Sequence, residues 1–97
     1  MAYGIVLRFE DVNEGHYWSV NEKLGIDRDG KGDYPNGLLT HAGGPTPDGW
    51  VVIELWDTKA SQEAWMAGRL GAALAAAGVP APVQVIETDT VNDQHFA

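Results

Sequence analysis

The sequence predicts an α+β domain of βαββαβ order, the ferredoxin-like arrangement in which two helices cover one face of a four-stranded antiparallel sheet. Three observations predict it. Residues Ala2 to Phe9 alternate between two faces with the period of a strand. Two later segments have helical spacing, and stretches rich in glycine and proline separate three further short apolar runs. With 97 residues, 44% of them hydrophobic, the chain is expected to form one domain over residues 1–97.

The first helix is expected to begin at Asp11–Glu14, where an acidic cap precedes a glutamate at capping-box spacing. Gly25 is expected to end it. Helical spacing places five residues on its core-facing stripe: Val12, His16, Tyr17, Val20 and Leu24. A loop rich in glycine and aspartate, Gly25–Asn36, follows and shows no periodicity.

The next segment predicts a hairpin. Its strands are expected at Gly37–Ala42 and Trp50–Trp56, joined by a short loop over Gly43–Gly49. If His41 pairs across from Trp50, one face of the hairpin carries His41, Leu39, Trp50, Val52, Glu54 and Trp56.

A second helix is expected from about Lys59 to Ala77, with a break at Gly68 or Gly71, because glycine weakens a helix interior. Its predicted buried face is Ala60, Ala64, Ala67, Leu70, Gly71 and Leu74. The fourth strand is expected at Val83–Thr88, before a polar tail over Val91–Ala97.

The third strand is apolar on both of its faces. Val51, Ile53 and Leu55 point away from the face of Trp50 and Trp56, and neither set is typical of a solvent-exposed surface. Helices cover only one side of a ferredoxin-like sheet, so the other side needs a partner. A second copy of the sheet is the simplest candidate, and we predict a homodimer.

Composition excludes several partners and cofactors. The chain has 14 acidic and 6 basic residues and a formal charge of −8, which disfavours nucleic acid and anionic membranes. It has no cysteine, so thiolate metal sites and thiol nucleophiles are excluded. No glycine-rich nucleotide motif is present, and no cofactor is expected. Without a signal-peptide pattern or a long apolar run, a cytoplasmic protein is expected.

Four motifs carry a family resemblance: GLLTHAGG at 37–44, DGWVVIELWD at 48–57, RLGAAL at 69–74 and GVP at 78–80. With them, the chain from about Tyr3 to Thr88 resembles small actinobacterial proteins of the dimeric α+β barrel superfamily, often described as antibiotic biosynthesis monooxygenase-like. The resemblance implies two sheets packed face to face in a dimer, with a pocket between the sheet and the helices of each subunit. Some members of that superfamily oxidise phenolic substrates without a cofactor, some degrade haem, and others only bind.

The haem-degrading branch places an asparagine on the first strand, a tryptophan at the end of the third and a histidine on the second helix. Trp56 matches the tryptophan. Leu7 or Arg8 stands where the asparagine is expected, and Leu70 lies near the histidine position. Two of the three residues are missing, so the resemblance does not extend to haem degradation.

The candidate catalytic residues are His41, Glu54 and His16. They are expected to converge on one aromatic-walled pocket, where histidine suits proton transfer because it titrates near neutrality. Structural histidines, each hydrogen-bonded to a neighbour, are the alternative. Glu54 is equally compatible with an acid or base role and with an ion pair to Arg8 or Arg69. Two histidines and a glutamate also fit a metal, but no ligand-spacing motif supports one.

The candidate substrate-binding residues are Trp56, Trp50, Tyr17, Tyr34 and Trp65. Tyr34 is expected on a loop bordering the pocket, and Trp65 to turn into the pocket if the second helix breaks near Gly68. Two functions remain open: a cofactor-independent, monooxygenase-like enzyme for a small aromatic or apolar substrate, and a non-catalytic dimer that binds a small molecule or serves a structural role.

Overall fold

A computed structural model describes residues 2–29 and 31–94. Its strands are β1 (Tyr3–Glu10), β2 (Leu38–Thr46), β3 (Gly49–Trp56) and β4 (Gln84–Asp89). Its helices are α1 (Glu14–Leu24), α2 (Lys59–Trp65) and α3 (Gly71–Ala76), with a π-helical turn over Met66–Leu70 between α2 and α3. The predicted ferredoxin-like α+β fold is confirmed. The end of the predicted tail, 95–97, lies outside the described residues.

The four strands form one antiparallel sheet in the order β2-β3-β1-β4. β1 lies inside the sheet, where Tyr3 pairs with Trp56 on one side and with Asp89 on the other. Its alternate side chains are buried against the helices: Tyr3, Ile5, Leu7 and Phe9. The period of two in the sequence therefore assigned each residue of β1 to the correct face.

The start of α1 differs from the prediction. The N-cap is Asn13, whose side-chain oxygen accepts the backbone N–H of His16 at 3.1 Å. Asp11 is not the cap because its backbone is left-handed, with φ of 56°, and its N–H donates to the Asp48 carbonyl at 3.0 Å. The end of the helix at Gly25, in the left-handed conformation with φ of 74°, is confirmed.

The hairpin is longer and tighter than predicted. β2 continues through Gly43 and Gly44 to Thr46, so only Pro47 and Asp48 connect it to β3. Residues with the composition of a loop form a strand here because the ladder with β3 supplies their hydrogen bonds. His41 consequently pairs with Glu54 rather than with Trp50, which faces Pro45. The register error is an even number of residues, so His41 keeps its predicted face.

The predicted break in the second helix is confirmed. Gly68 has non-helical backbone angles, φ −102° and ψ −111°, inside the π-helical turn. The predicted buried face is partly wrong: Ala60, Ala64 and Ala67 are exposed. The π-helical turn changes the angle between successive side chains, so a single helical wheel does not describe both halves. The buried residues of α2 and α3 are Gln62, Trp65 and Ala73.

The two faces of the sheet have different surroundings. The face toward the helices carries the core. The opposite face carries apolar side chains without cover in the protomer, and Ile53 and Ile86 are 51% and 53% exposed there. Val6 lies between them in the pairing register, opposite both residues. An apolar face of this kind favours a partner.

Candidate functional site

A cavity of about 490 Å³ lies between the sheet and the helices. Its apolar wall includes Leu7 and Phe9 of β1, Val52 of β3, Leu74 of α3 and Val79, which follows α3. The volume is in the range of pockets that hold a small organic molecule. The polar side chains of α1 and of the β2–β3 hairpin therefore enter a mainly apolar space.

Four polar side chains form a continuous hydrogen-bonded chain at this cavity. The Trp56 indole N–H donates to Glu54 Oε1 at 3.0 Å. Glu54 Oε2 lies 2.7 Å from His41 Nδ1, and His41 Nε2 lies 2.5 Å from the Tyr17 hydroxyl. Strand pairing places His41 directly beside Glu54, while α1 brings Tyr17 across from the sheet. The chain runs from a fully buried indole to a half-buried phenol.

The Glu54 carboxyl group is buried and depends on its hydrogen-bond partners. Glu54 is 5% exposed and His41 has 27% of its side chain exposed. A buried carboxylate needs donors, and here an indole N–H and an imidazole provide them. An ionised Glu54 only accepts, so the hydrogen of a neutral His41 lies on Nδ1 and the lone pair on Nε2. This arrangement orients an imidazole as a proton acceptor toward the cavity.

Tyr17 closes the chain as a donor. Burial raises the pKa of its phenol above the ordinary value, and the carboxylate of Glu54 contributes in the same direction. The hydroxyl therefore keeps its proton at neutral pH and donates a hydrogen bond to His41 Nε2. The Tyr17 ring also stacks on His41, with centroids 6.0 Å apart, and lies 5.0 Å from the Trp50 ring.

His16 reaches the expected cavity but does not join the hydrogen-bonded pair of His41 and Glu54. Its ring lines the cavity, but its Nδ1 accepts the backbone N–H of Asn13 at 3.1 Å and completes the cap of α1. Tyr17, the next residue, contacts His41 instead. His16 is thus hydrogen-bonded within the cap of α1, whereas His41 and Glu54 contact each other. Glu54 does not pair with Arg8 or Arg69, which bind Asp48 and Asp33.

Most of the predicted substrate-binding aromatic residues line the cavity, and one lies behind its wall. Tyr17, Tyr34, Trp50 and Trp65 line the cavity. Trp56 is fully buried, at 0% exposure, and lies behind Glu54 rather than in the wall. Trp65 turns inward at the break that follows α2, as expected if the helix broke near Gly68.

Tyr34 lines the cavity from the segment between α1 and β2. Its hydroxyl donates to the Asp27 carbonyl at 3.0 Å. Arg69 fastens this loop to α1, because its guanidinium donates to the carbonyls of Leu24 at 2.6 Å and Asp33 at 3.0 Å. Asp33, next to Tyr34, is therefore held against α1, and Tyr34 is part of the cavity wall.

Two features of the site were not predicted from the sequence. Gly43 was assigned to a loop, yet it lies in β2 where a β-carbon would come within 3.1 Å of both Trp50 Nε1 and Tyr17 Cε1. Arg28 lines the cavity with its guanidinium 4.0 Å from the centre of the Trp18 ring. The glycine pair at 43–44 within an apolar hairpin was the available signal for a close approach to the backbone.

Within residues 2–29 and 31–94, no three histidine, aspartate or glutamate side chains gather in a way that would hold a metal ion. None of the described helices is long and apolar enough to cross a membrane.

Comparison with known proteins identifies shared architecture. No protein-family profile matches the chain, and no curated protein sequence gives a significant match. Several solved structures are similar to it across nearly their whole length, among them the following three. A Chloroflexus aurantiacus J-10-fl protein, provisionally described as an antibiotic biosynthesis monooxygenase, has a TM-score of 0.66 and 18% identity, with 100% of both chains covered.

Rv0793 from Mycobacterium tuberculosis has a TM-score of 0.67 and 14% identity, covering 98% of this chain and 100% of its own. NE2512 from Nitrosomonas europaea, a protein of unknown function, has a TM-score of 0.62 and 16% identity, covering 99% and 93%. At these identities the likeness shows the fold. The chain thus shares its fold with a protein provisionally described as an antibiotic biosynthesis monooxygenase.

Proposed function

We propose that this chain is a homodimeric, monooxygenase-like enzyme that works without a cofactor on a small aromatic or otherwise apolar molecule. The observation that carries the proposal is the Glu54–His41 pair, which presents Nε2 of His41 to a cavity of about 490 Å³ with apolar walls. A carboxylate that holds Nδ1–H makes Nε2 a general base for an acidic hydroxyl. The Tyr17 phenol, hydrogen-bonded to Nε2, illustrates how such a hydroxyl meets this base.

The chemistry requires little more than deprotonation and enclosure. His41 takes the proton of the substrate hydroxyl, and Glu54 stabilises the resulting imidazolium. The substrate anion then reduces O₂: a carbon–oxygen bond forms, the O–O bond breaks, and the second oxygen leaves as water with two hydrogens from the substrate. The apolar wall keeps bulk water from the reactive anion. The fold shared with a provisional antibiotic biosynthesis monooxygenase agrees with this reaction class.

Oxygen uptake by the purified protein tests the proposal. We expect a panel of phenols and quinols to contain compounds that the protein oxidises, each giving a product with one more oxygen atom and two fewer hydrogens. Labelling with ¹⁸O₂ traces the new oxygen by mass spectrometry. Binding to the cavity without oxygen uptake would instead indicate the non-catalytic alternative, a small-molecule-binding dimer.

The proposed partner is a second copy of the chain, docked on the open face of the sheet. Ile53 and Ile86 lie on this face and are each about half exposed in the protomer. A chain of this length buries a modest share of its surface, so burying these side chains adds stability. No nucleic-acid or membrane partner is proposed, and the cytoplasm is the proposed location.

A charge on this face is expected to separate the dimer. Ile53→Lys places an ammonium group in the centre of the proposed interface, where burial without a partner is costly. We expect sedimentation equilibrium to give a dimer for the unmodified protein and a monomer for I53K. Val91→Lys, at a side chain that is 91% exposed, is the matched control and is expected to remain dimeric. A dimeric I53K would contradict this interface.

A further inference from the structure

The Trp50 side chain contains a buried donor without a partner. Its indole N–H is inaccessible to solvent and makes no hydrogen bond to the part of the chain that the structure describes. Trp50 is 5% exposed and lines the cavity. By contrast, Trp18 and Trp56 donate their indole N–H groups to Glu14 and Glu54. An unsatisfied buried donor is costly, and proteins retain few of them.

Gly43 creates a small space beside this donor. A β-carbon on Gly43 would lie 3.1 Å from Trp50 Nε1, which is the length of an N–H···O hydrogen bond. The same point lies 3.1 Å from Cε1 and 3.2 Å from Cζ of Tyr17. The phenol of Tyr17 thus partly fills the space, and a ligand oxygen placed there would require this ring to move.

The Tyr17 side chain can move out of this space because it is only half-buried. Its hydroxyl binds His41 Nε2 and its ring lies against Trp50, so one side chain covers both an acceptor and a donor. When the ring moves aside, the lone pair of His41 and the N–H of Trp50 become available together. His41 Nε2 can then accept a hydrogen bond from a ligand hydroxyl, and the Trp50 N–H can donate one to a ligand oxygen.

We propose that Trp50 is a specificity-determining residue of the cavity, whose indole N–H donates to a carbonyl-type oxygen of the bound aromatic molecule in the space over Gly43. This inference rests on the proposed function, because it assumes that the cavity binds a phenolic ligand at His41. A donor at Trp50 restricts the expected ligand to an aromatic hydroxyl compound that carries a second oxygen able to accept a hydrogen bond. The ligand replaces Tyr17 at both groups.

Two probes that differ in one acceptor test the proposal. 4-Hydroxyacetophenone and 4-ethylphenol have similar size, and only the first has a carbonyl oxygen. We expect the protein to bind 4-hydroxyacetophenone about five- to tenfold more tightly, the contribution of one hydrogen bond. In ¹H–¹⁵N spectra the Trp50 indole proton, assigned with Trp50→Phe, is expected to move downfield with 4-hydroxyacetophenone and not with 4-ethylphenol.

Two pairs of variants separate this hydrogen bond from general packing. Trp50→Phe is expected to lower the affinity ratio of the two probes about five- to tenfold relative to the unmodified protein. Trp65→Phe, which removes the same ring volume from the cavity wall, is expected to leave the ratio unchanged. Gly43→Ala fills the space and is expected to remove the part of the preference for 4-hydroxyacetophenone that comes from this hydrogen bond. Gly44→Ala, where a β-carbon meets nothing within 4 Å in the protomer, is expected to keep it. The greater acidity of 4-hydroxyacetophenone affects every variant alike and cancels in these comparisons.

The outcomes distinguish the two proposals. If both probes bind but the ratio is unchanged in Trp50→Phe, or the Trp50 resonance does not move, the inference about Trp50 is wrong and the proposed function stands. If neither probe binds the protein, the cavity does not accept phenols and both proposals fail.

Discussion

Replacement of His41 by glutamine is expected to lower the rate of substrate oxidation by about 10²- to 10⁴-fold, the contribution typical of a positioned general base. Glutamine is polar and similar in length, so it fills the space beside Glu54 but accepts no proton at neutral pH. The half-exposed edge of β2 tolerates the change, and the effect is expected in kcat rather than in folding. Oxygen uptake with the best substrate of the phenol and quinol panel measures it.

His16→Gln is the matched control. Both histidines line the cavity, but His16 Nδ1 is engaged with the backbone N–H of Asn13. Its replacement weakens the cap of α1, at a cost of about 1 kcal/mol in the free energy of unfolding, and leaves the base intact. We therefore expect near-normal turnover. Equal losses in the two variants would show that the cavity needs histidine for its shape and would refute the role of His41 as base.

The faces of the sheet were predictable because a strand has a fixed period of two. His41 and Glu54 were assigned to one face from the sequence, although the predicted register was wrong. Alternation survives an even error in register, so the face was correct while the neighbour was not. The contact between Glu54 and His41 depends on the true end of β2 at Thr46, which the glycines at 43 and 44 concealed.

The role of Tyr17 could not be predicted from periodicity. His16 and Tyr17 are adjacent on one helical stripe, and a rotation of α1 by one residue decides which of them faces His41. That rotation depends on the cap at Asn13 and on the left-handed backbone at Asp11, which is held by the β2–β3 turn. These are tertiary contacts between residues distant in sequence. The hydrophobic pattern of α1 contains no information about them.

The inward orientation of Trp65 has a similar origin. It follows from the π-helical turn at Met66–Leu70, where Gly68 leaves helical geometry. Glycine composition indicated where the helix breaks but not how far the turn rotates the preceding side chains. The apolar stripe drawn through Ala60, Ala64 and Ala67 was wrong for this reason. Side chains next to a break are the ones that a helical wheel places least well.

Glu54→Gln is expected to lower activity strongly while preserving the fold, because Trp56 fixes the orientation of the new amide. An indole N–H only donates, so the glutamine oxygen faces Trp56 Nε1 and the NH₂ group faces His41 Nδ1. His41 must then accept at Nδ1 and carry its hydrogen on Nε2, which removes the lone pair from the cavity. We expect a loss in kcat of at least about 10²-fold, in line with the wrong tautomer of a catalytic histidine.

Glu54→Leu separates this tautomer effect from loss of packing. Leucine leaves the N–H of Trp56, a residue with 0% exposure, without an acceptor. The expected cost is about 1–3 kcal/mol in the free energy of unfolding, measured with urea, against less than about 1 kcal/mol for Glu54→Gln. The ¹⁵N shifts of His41 report the tautomer directly. A fully active Glu54→Gln protein with hydrogen on Nε2 would exclude His41 as the base, since its proton acceptor would then be occupied.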